Sequence, residues 1–443
     1  MHVVLDVSRL FASSRQRAPS GIDRVEAAYA ARWLGVPAAE VTFCARGPWG
    51  GYAAVPRGMV ADGAAALDAA WAGGPAAEPA RREARRLARR LALRLALGRG
   101  RARLEGLLAR QGRCLFLLVS HRLMERPEPI AALRAAGAAF VPLVHDLIPA
   151  THPEYARPGV AMQHLRRLDT VAALADGIIV NSAATLAVLE PHLLRAGGPP
   201  PVAVAPLGIT PRRPAAPGAV RPQDPYFLCI GTIEPRKNHL LLLHLWRDFA
   251  AKWGPAAPRL VLVGRRGWEN ENVVDLLERC ALLRGLVTEA GPLPDPEVAG
   301  LLAGSRALLF PSFAEGYGLP LAEALAAGAP AICSDLPALR EVGGEVPEYL
   351  DPLDGAAWRR LILDYAAPDS RARAAQLARL RAWTAPAWAE HFAIVDRLLA
   401  EVARRHAGAP ARPPAPPPAR PAVVPAAAEA AAPALFAPPA RLR

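Results

Sequence analysis

The chain is poor in cysteine: five residues, at positions 44, 114, 229, 280 and 333, are scattered through 443 without any Cys-x-x-Cys spacing. That pattern argues against a disulfide framework and a zinc ribbon. Four of the five fall in apolar, strand-like runs, as small buried residues of a reducing compartment do. No apolar run reaches the roughly 18 residues of a membrane span, and MHVVLDVSRL lacks the basic stretch and long apolar run of a secretory leader. A cytoplasmic protein is therefore expected, attached to a membrane at most peripherally. Aromatic residues are scarce at 6%, and 40 acidic side chains against 53 Lys plus Arg leave a formal net charge of +13. The deficit of negative charge points to an anionic partner: nucleic acid, a membrane surface or a phosphorylated small molecule. No aromatics interleave the basic stretch and no recognition motif appears, which argues against nucleic acid.

What the chain does have is 52% apolar residues, arranged as short Val/Ile/Leu runs alternating with helical stretches. This is the pattern of parallel sheets covered on both faces, an α/β fold. In the first half the expected strands are 3–7, 41–45, 114–120, 140–146, 177–182 and 202–208. After the proline-rich bridge PRRPAAPGAVRPQDP, which suits neither a helix nor a central strand, the pattern restarts with strands at 226–232, 259–264, 286–291, 307–312 and 330–335. The expected organisation is thus a doubly wound domain over 1–210, a linker over 211–225 and a second doubly wound domain over 226–388. A helix over 389–406 crosses back toward the first domain, and a Pro/Ala-rich disordered tail occupies 407–443. Ligands of such a pair bind in the cleft between the domains, at the carboxyl ends of the strands. A basic helical insertion over about 78–113 interrupts the first domain. There RREARRLARRLALRLALGRGRARLEGLLARQGR, Arg81 to Arg113, interleaves Leu87, Leu91, Leu95 and Leu104 with arginine. Either it is a basic amphipathic surface for anionic lipid or it is an arginine-rich solvated face.

Two stretches of the second half carry chemistry. In YFLCIGTIEPRKNHLLLLHLW a strand ends at Gly231 and Thr232, and a loop then presents Glu234, Arg236, Lys237 and Asn238 before a helix that Asn238 is placed to cap. Adjacent cations on a strand-to-helix loop suit a diphosphate, arginine gripping two oxygens and lysine supplying a compact charge. Solvated surface cations are the alternative. In LLFPSFAEGYGLPLAEALAAGAPAI a strand leads through EGYGLP to a helix with Pro320 near its start and Gly328 at its end. Free backbone N–H groups at that helix N-terminus favour phosphate. Glu315 in the loop and Glu323 in the helix could accept hydrogen bonds from sugar hydroxyls, though Glu323 alone could equally complement the helix dipole.

The Glu315-x7-Glu323 spacing within FAEGYGLPLAEALAAGAPAICSD, with GTIEPRKN, closely resembles glycosyltransferase family 4, whose members have the GT-B fold of two facing Rossmann-like domains. The resemblance spans about residues 1–400, and its most specific motifs lie in the second half. It implies that Arg236 and Lys237 bind a donor diphosphate, that Glu315 contacts the transferred sugar and that Glu323 contacts the ribose. It further implies donor contacts from Gly231, Thr232, Gly316, Tyr317, Gly318 and Leu319. In the first half FVPLVHDLIP ends a buried strand at His145 and Asp146; the resemblance places a sugar-contacting histidine at His145, with Asp146 beside it as a donor-binding candidate, and a structural histidine with Asp146 making a turn is the alternative. In APSGIDRVEAAYA it makes Gly21 the glycine that approaches the donor phosphates. DVSRL, SGIDRVE and HDLIP together look most like the branch of mannosyl- and rhamnosyltransferases that builds bacterial surface polysaccharides.

Ser182 reads as a helix N-cap rather than a nucleophile, and His239 and His244 lack a ligand set for a metal. There is no Asp-x-Asp, which fits a transferase that needs neither a metal nor another cofactor to hold its diphosphate. The resemblance implies retention of configuration, with His145 orienting the sugar, and transfer of a hexose, best mannose from GDP-mannose, to a growing lipid-linked glycan. Two other classes stay open: a sugar-nucleotide-binding scaffold without catalysis, and a sugar-nucleotide epimerase, which needs no acceptor.

Overall fold

The structure, a computed structural model, describes residues 1–195, 199–211, 214 and 225–408. Most of the expected linker and nearly all of the expected disordered tail lie outside the described residues. Two parallel sheets organise the rest. The first contains β1 (His2–Asp6), β2 (Val41–Arg46), β3 (Tyr52–Val55), β4 (Cys114–Leu118), β5 (Ala138–Val144), β6 (Ile178–Val180) and β7 (Val202–Val204). They lie in the order β3-β2-β1-β4-β5-β6-β7, parallel throughout except for the β2–β3 pair. The second contains β8 (Tyr226–Ile230), β9 (Arg259–Val263), β10 (Val287–Gly291), β11 (Leu308–Phe310), β12 (Ala331–Ser334) and β13 (Glu348–Leu350), ordered β10-β9-β8-β11-β12-β13. Both sheets reverse their winding beside the first strand of the domain, between β1 and β4 and between β8 and β11. Loops diverge there and leave a crevice at the carboxyl ends.

The long Val/Ile/Leu runs are strands because helices cover them on both faces: every residue of β1, β4 and β5 is buried. Two strands escape the sequence pattern. β3 is YAAV, hidden by its small residues and reached from β2 through a tight turn in which Gly50 has φ 91°. β13 is only three residues long. Several expected strands also ran past the observed ends, 140–146 against Ala138–Val144 and 202–208 against Val202–Val204. Those overshooting residues leave the ladder to form the cleft loops. Cys44, Cys114, Cys229 and Cys333 are free and buried, while free Cys280 is half-buried.

The arginine-rich insertion forms two helices, Ala77–Ala96 and Arg101–Gln111. The stripe of leucines singled out in the sequence does not face lipid. Leu87, Leu91, Leu95 and Leu104 are all buried within the first domain, because an amphipathic stripe satisfies a protein core as well as it would a bilayer. No helix of the described residues is long and apolar enough to cross a membrane.

The last helix, Trp388–Gly408, lies against β4, β5 and β7 of the first sheet. Val395, Leu399 and Val402 are buried there. The Tyr29 hydroxyl and His391 Nε2 are 2.8 Å apart, and a Cβ on Gly208 would stand 2.3 Å from the Trp388 nitrogen. The chain therefore returns to its first domain after completing the second. Truncating fully buried Leu399 to alanine should cost about 2–5 kcal/mol. The loss should fall on the first domain, read by hydrogen exchange of β4 and β5 under native conditions.

Candidate active site between the two sheets

At the carboxyl end of β8, Gly231 and Thr232 carry the chain away from the sheet, and the Gly231 N–H still bonds the Val263 carbonyl at 2.9 Å. A single 3-10 turn, Pro235–Lys237, follows. Asn238 then takes a left-handed conformation, φ 54°, at the start of the His239–Trp253 helix. Asn238 occupies the N-cap position as expected, but its side chain does not cap: Nδ2 donates to the Pro352 carbonyl at 3.0 Å. The turn is thereby fastened to the loop beyond β13, and Lys237 is held inward.

Arg236 and Lys237 are not solvated surface cations. Lys237 is buried, forms an ion pair with Glu315 and points its Nζ at the Phe310 ring, 4.7 Å from the centroid. Arg236 Nε meets Glu234 at 2.6 Å, and its Nη1 meets Glu315 at 3.2 Å and the Ala314 carbonyl at 2.9 Å. Two cations and two carboxylates thus form one buried, neutral cluster. Burial alone would raise the Glu315 carboxyl, but Lys237 and Arg236 outweigh it and hold the group at about 2. Burial and the adjacent Arg236 lower the Lys237 ammonium, with Glu315 opposing them. Arg236 is raised: burial opposes its charge, and Glu315 and Glu234 more than compensate. With Nε and Nη1 committed to protein partners, the two-pronged grip expected of Arg236 requires one of those partners to be exchanged.

The loop after β11 supplies Glu315, Gly316, Tyr317 and Gly318, and the Leu319–Ala326 helix begins directly behind it with Gly318 at φ 101°. This loop touches the first domain at several points. Gly316 is pressed against His145 and Asp146: a Cβ there would lie 2.5 Å from the His145 carbonyl oxygen and 2.7 Å from Asp146 Cβ. The Gly316 carbonyl accepts from Ser182 Oγ at 2.8 Å and Thr185 Oγ1 at 3.2 Å. Tyr317 donates its hydroxyl to the Leu207 carbonyl at 2.7 Å. Ser182 also accepts from Thr185 N at 3.0 Å, so it is the N-cap expected and an interdomain contact as well.

Across the cleft, His145 ends up buried beneath the same loop. Its Nε2 is 2.8 Å from the Val119 carbonyl, which makes Nε2 the protonated nitrogen and leaves Nδ1 as acceptor. Burial lowers His145 to about 4, so the ring is neutral. His121 Nε2 accepts the His145 backbone N–H at 3.0 Å, and His164 Nε2 bonds the Asp146 carbonyl at 3.1 Å. The Asp146 carboxylate turns the chain by accepting from Ile148 N at 3.1 Å. Gly21, first residue of the Gly21–Leu34 helix, lies so near Leu319 that a Cβ would be 3.0 Å from Leu319 Cδ1. One turn further, Arg24 forms two 2.7 Å bonds to Asp295 and stands 3.5 Å from Glu323. A pocket opens beside this latch, lined by Arg24, Asp295, Leu302, Glu323 and Ala326 among others.

The geometry therefore brings together Gly21, His145 and Asp146 from the first domain with Gly316 and Leu319 from the second, and Glu315 with Arg236 and Lys237. Residues 215–345, which hold Arg236, Lys237, Glu315 and Glu323, match the family described as glycosyl transferases group 1. They are a glycosyl transferases group 1 domain. Gly21, His145 and Asp146 lie outside that domain and reach its motifs only through the fold. The chain is 39% identical over 145 residues to O-antigen chain mannosyltransferase B of Escherichia coli, covering 33% of this chain and 38% of that protein. It is 30% identical over 253 residues to the serotype-specific mannosyltransferase WbdA of Escherichia coli, covering 52% of this chain and 30% of that protein. It thus spans about a third of the length of these curated relatives. Among solved structures, the sucrose-phosphate synthase from Thermosynechococcus elongatus superposes with a TM-score of 0.56 at 17% identity, over 91% of this chain and 100% of that one. The fold is GT-B.

Arg24, Asp295 and His121 were not found from sequence. Arg24 stands three residues after Gly21 in a motif already singled out, and His121 follows β4 as His145 follows β5. Both signals were present and unused. The Glu315 cluster makes a pH-dependent prediction. A carboxyl held at about 2 against an ordinary 4.5 adds on the order of 3 kcal/mol of stability above pH 4.5, and this is lost as pH falls through 4.5 toward 2. Glu315→Gln should be less stable than the native protein by that order at pH 7, and the difference should vanish near pH 2 in urea unfolding.

Proposed function

We propose that the protein is a retaining mannosyltransferase that moves mannose from GDP-mannose to a growing, lipid-linked cell-surface glycan. The observation that carries this reading is the Lys237–Glu315–Arg236 cluster on the glycosyl transferases group 1 domain, next to the loop in which Gly316 meets His145 and Asp146 of the first domain. Both curated relatives are named as mannosyltransferases, one of them as an O-antigen chain mannosyltransferase, which supports mannose as the sugar.

Breaking the sugar–phosphate bond develops negative charge on the departing diphosphate and positive charge on the sugar. Arg236, Lys237 and the backbone N–H groups ahead of Leu319 stabilise the first, and these groups do the work without a metal or cofactor. A diphosphate entering the cluster competes with Glu315 for Lys237. When Lys237 turns to phosphate, the Glu315 oxygens are released to accept hydrogen bonds from sugar hydroxyls, so donor recognition is an exchange of ionic partners. Glu323 accepts from the ribose. His145, neutral and with Nε2–H committed to Val119, accepts a sugar hydroxyl at Nδ1 and positions the ring. The acceptor hydroxyl passes its proton to the departing phosphate as the new glycosidic bond forms on the same face, and no protein nucleophile is assigned.

Thermal unfolding against GDP-, UDP-, ADP- and dTDP-sugars tests the donor. GDP-mannose should raise the melting temperature of the native protein by mass action, and Arg236→Ala and Glu323→Ala should lose the shift; no shift with any donor would overturn the reading. His145→Ala should lower mannosyl transfer to a soluble mannoside by about tenfold or more while keeping GDP binding. Full turnover in that variant would remove His145 from the mechanism, and binding without transfer by the native protein would favour a scaffold.

A further inference from the structure

The arginine-rich insertion buries Leu87, Leu91, Leu95 and Leu104, yet its outer end carries a different apolar group. Leu93 is 63% exposed, Leu97 58% and Trp49 83%, the last being the most exposed large apolar side chain of the described residues. They are one cluster. The Trp49 indole N–H donates to the Ala96 carbonyl at 3.1 Å, which brings it to the helical turn that carries Leu93 and Leu97. Trp49 itself lies in the turn between β2 and β3, so the cluster is built from two separate segments.

Positive charge surrounds it. Arg82, Arg85, Arg89, Arg99 and Arg103 are exposed, and the insertion's carboxylates are already engaged elsewhere: Glu78 with Arg81, Glu83 with Arg86 and Glu105 with Arg101. A protein–protein interface disfavours unpaired charge at its centre. A bilayer surface suits this combination, because tryptophan and leucine enter the headgroup boundary while arginines meet anionic lipid. The position also has meaning. Arg46, last residue of β2, donates to the Leu123 carbonyl in the loop after β4 at 2.7 Å, so the tip borders the same carboxyl edge of the first sheet that presents His121 and His145.

We propose that Trp49, Leu93 and Leu97, flanked by the unpaired arginines of the insertion, are the tip by which the protein sits on an anionic lipid bilayer. Docked this way, the first domain offers its cleft edge toward the membrane; that orientation, unlike the docking itself, rests on the reading of the protein as a transferase to a lipid-linked glycan.

The full chain is sedimented with vesicles of phosphatidylcholine alone and of phosphatidylcholine mixed with phosphatidylglycerol, at low and high salt. Binding is expected to the mixed vesicles only, weakened by salt. The triple variant W49S/L93S/L97S, altered only at exposed positions, should keep the native melting temperature and its transfer to a soluble mannoside while losing at least about tenfold in vesicle partition. Native partition by the triple variant would overturn the proposal, as would failure of the native protein to bind mixed vesicles. A dimer of the native chain that the variant abolishes, without vesicle binding, would reassign the patch to self-association. Because vesicle binding needs neither donor nor turnover, its failure is separable from failure of the mannosyltransferase reading.

Discussion

The buried ion cluster of Glu234, Arg236, Lys237 and Glu315 is the constraint on which the site depends. Removing four charges from water is costly, and the cost is offset only if every charge finds a partner with good geometry. The Pro235–Lys237 turn, the left-handed Asn238 and the loop after β11 are all shaped to provide that geometry. Lys237 is one of only two lysines in a chain that otherwise draws its positive charge from arginine, the other being Lys252. A compact ammonium fits between Glu315 and the Phe310 ring, and a planar guanidinium in its place would need a wider slot and more donors satisfied.

Since the cluster is neutral as it stands, an incoming anion is not drawn by net local charge. It must offer Lys237 something better than Glu315 does. A diphosphate, with more charge and more acceptor oxygens than one carboxylate, meets that condition. The same contest sets the ionisation of the site: a Glu315 that has given up its cations would lose what now keeps it acidic, and would become a stronger acceptor for neutral hydroxyls. Recognition of the donor and activation of Glu315 are then one event.

Much of this was legible in the sequence, for physical reasons that can be named. Parallel strands buried on both faces need continuous apolar runs, so β1, β4, β5, β8 and β9 announced themselves, while YAAV in β3 and the three-residue β13 did not. The cations and glutamates of the second domain were legible because each pair sits on one local loop or helix start. Their mutual pairing was not: Lys237 and Glu315 are 78 residues apart, and Arg24 and Asp295 are 271 apart. The leucines of the insertion show a different limit. A stripe at helical spacing states that one face avoids water without stating what covers it, and here the cover is protein. His145 was found in sequence, but that its Nε2 is already spent on Val119 is a property of β4 lying beside β5.

The return of the last helix to the first sheet changes how the halves can move. A domain tied by one strand of chain may swivel in any direction, like a bead on a string. This one is joined twice, through the segment after β7 and again through the residues ahead of Trp388, like a door hung on two pins. Any opening between the halves has to part Gly316 from His145 and Arg24 from Asp295. His406, 3.1 Å from the Gly137 carbonyl, also fixes where the chain leaves the described structure.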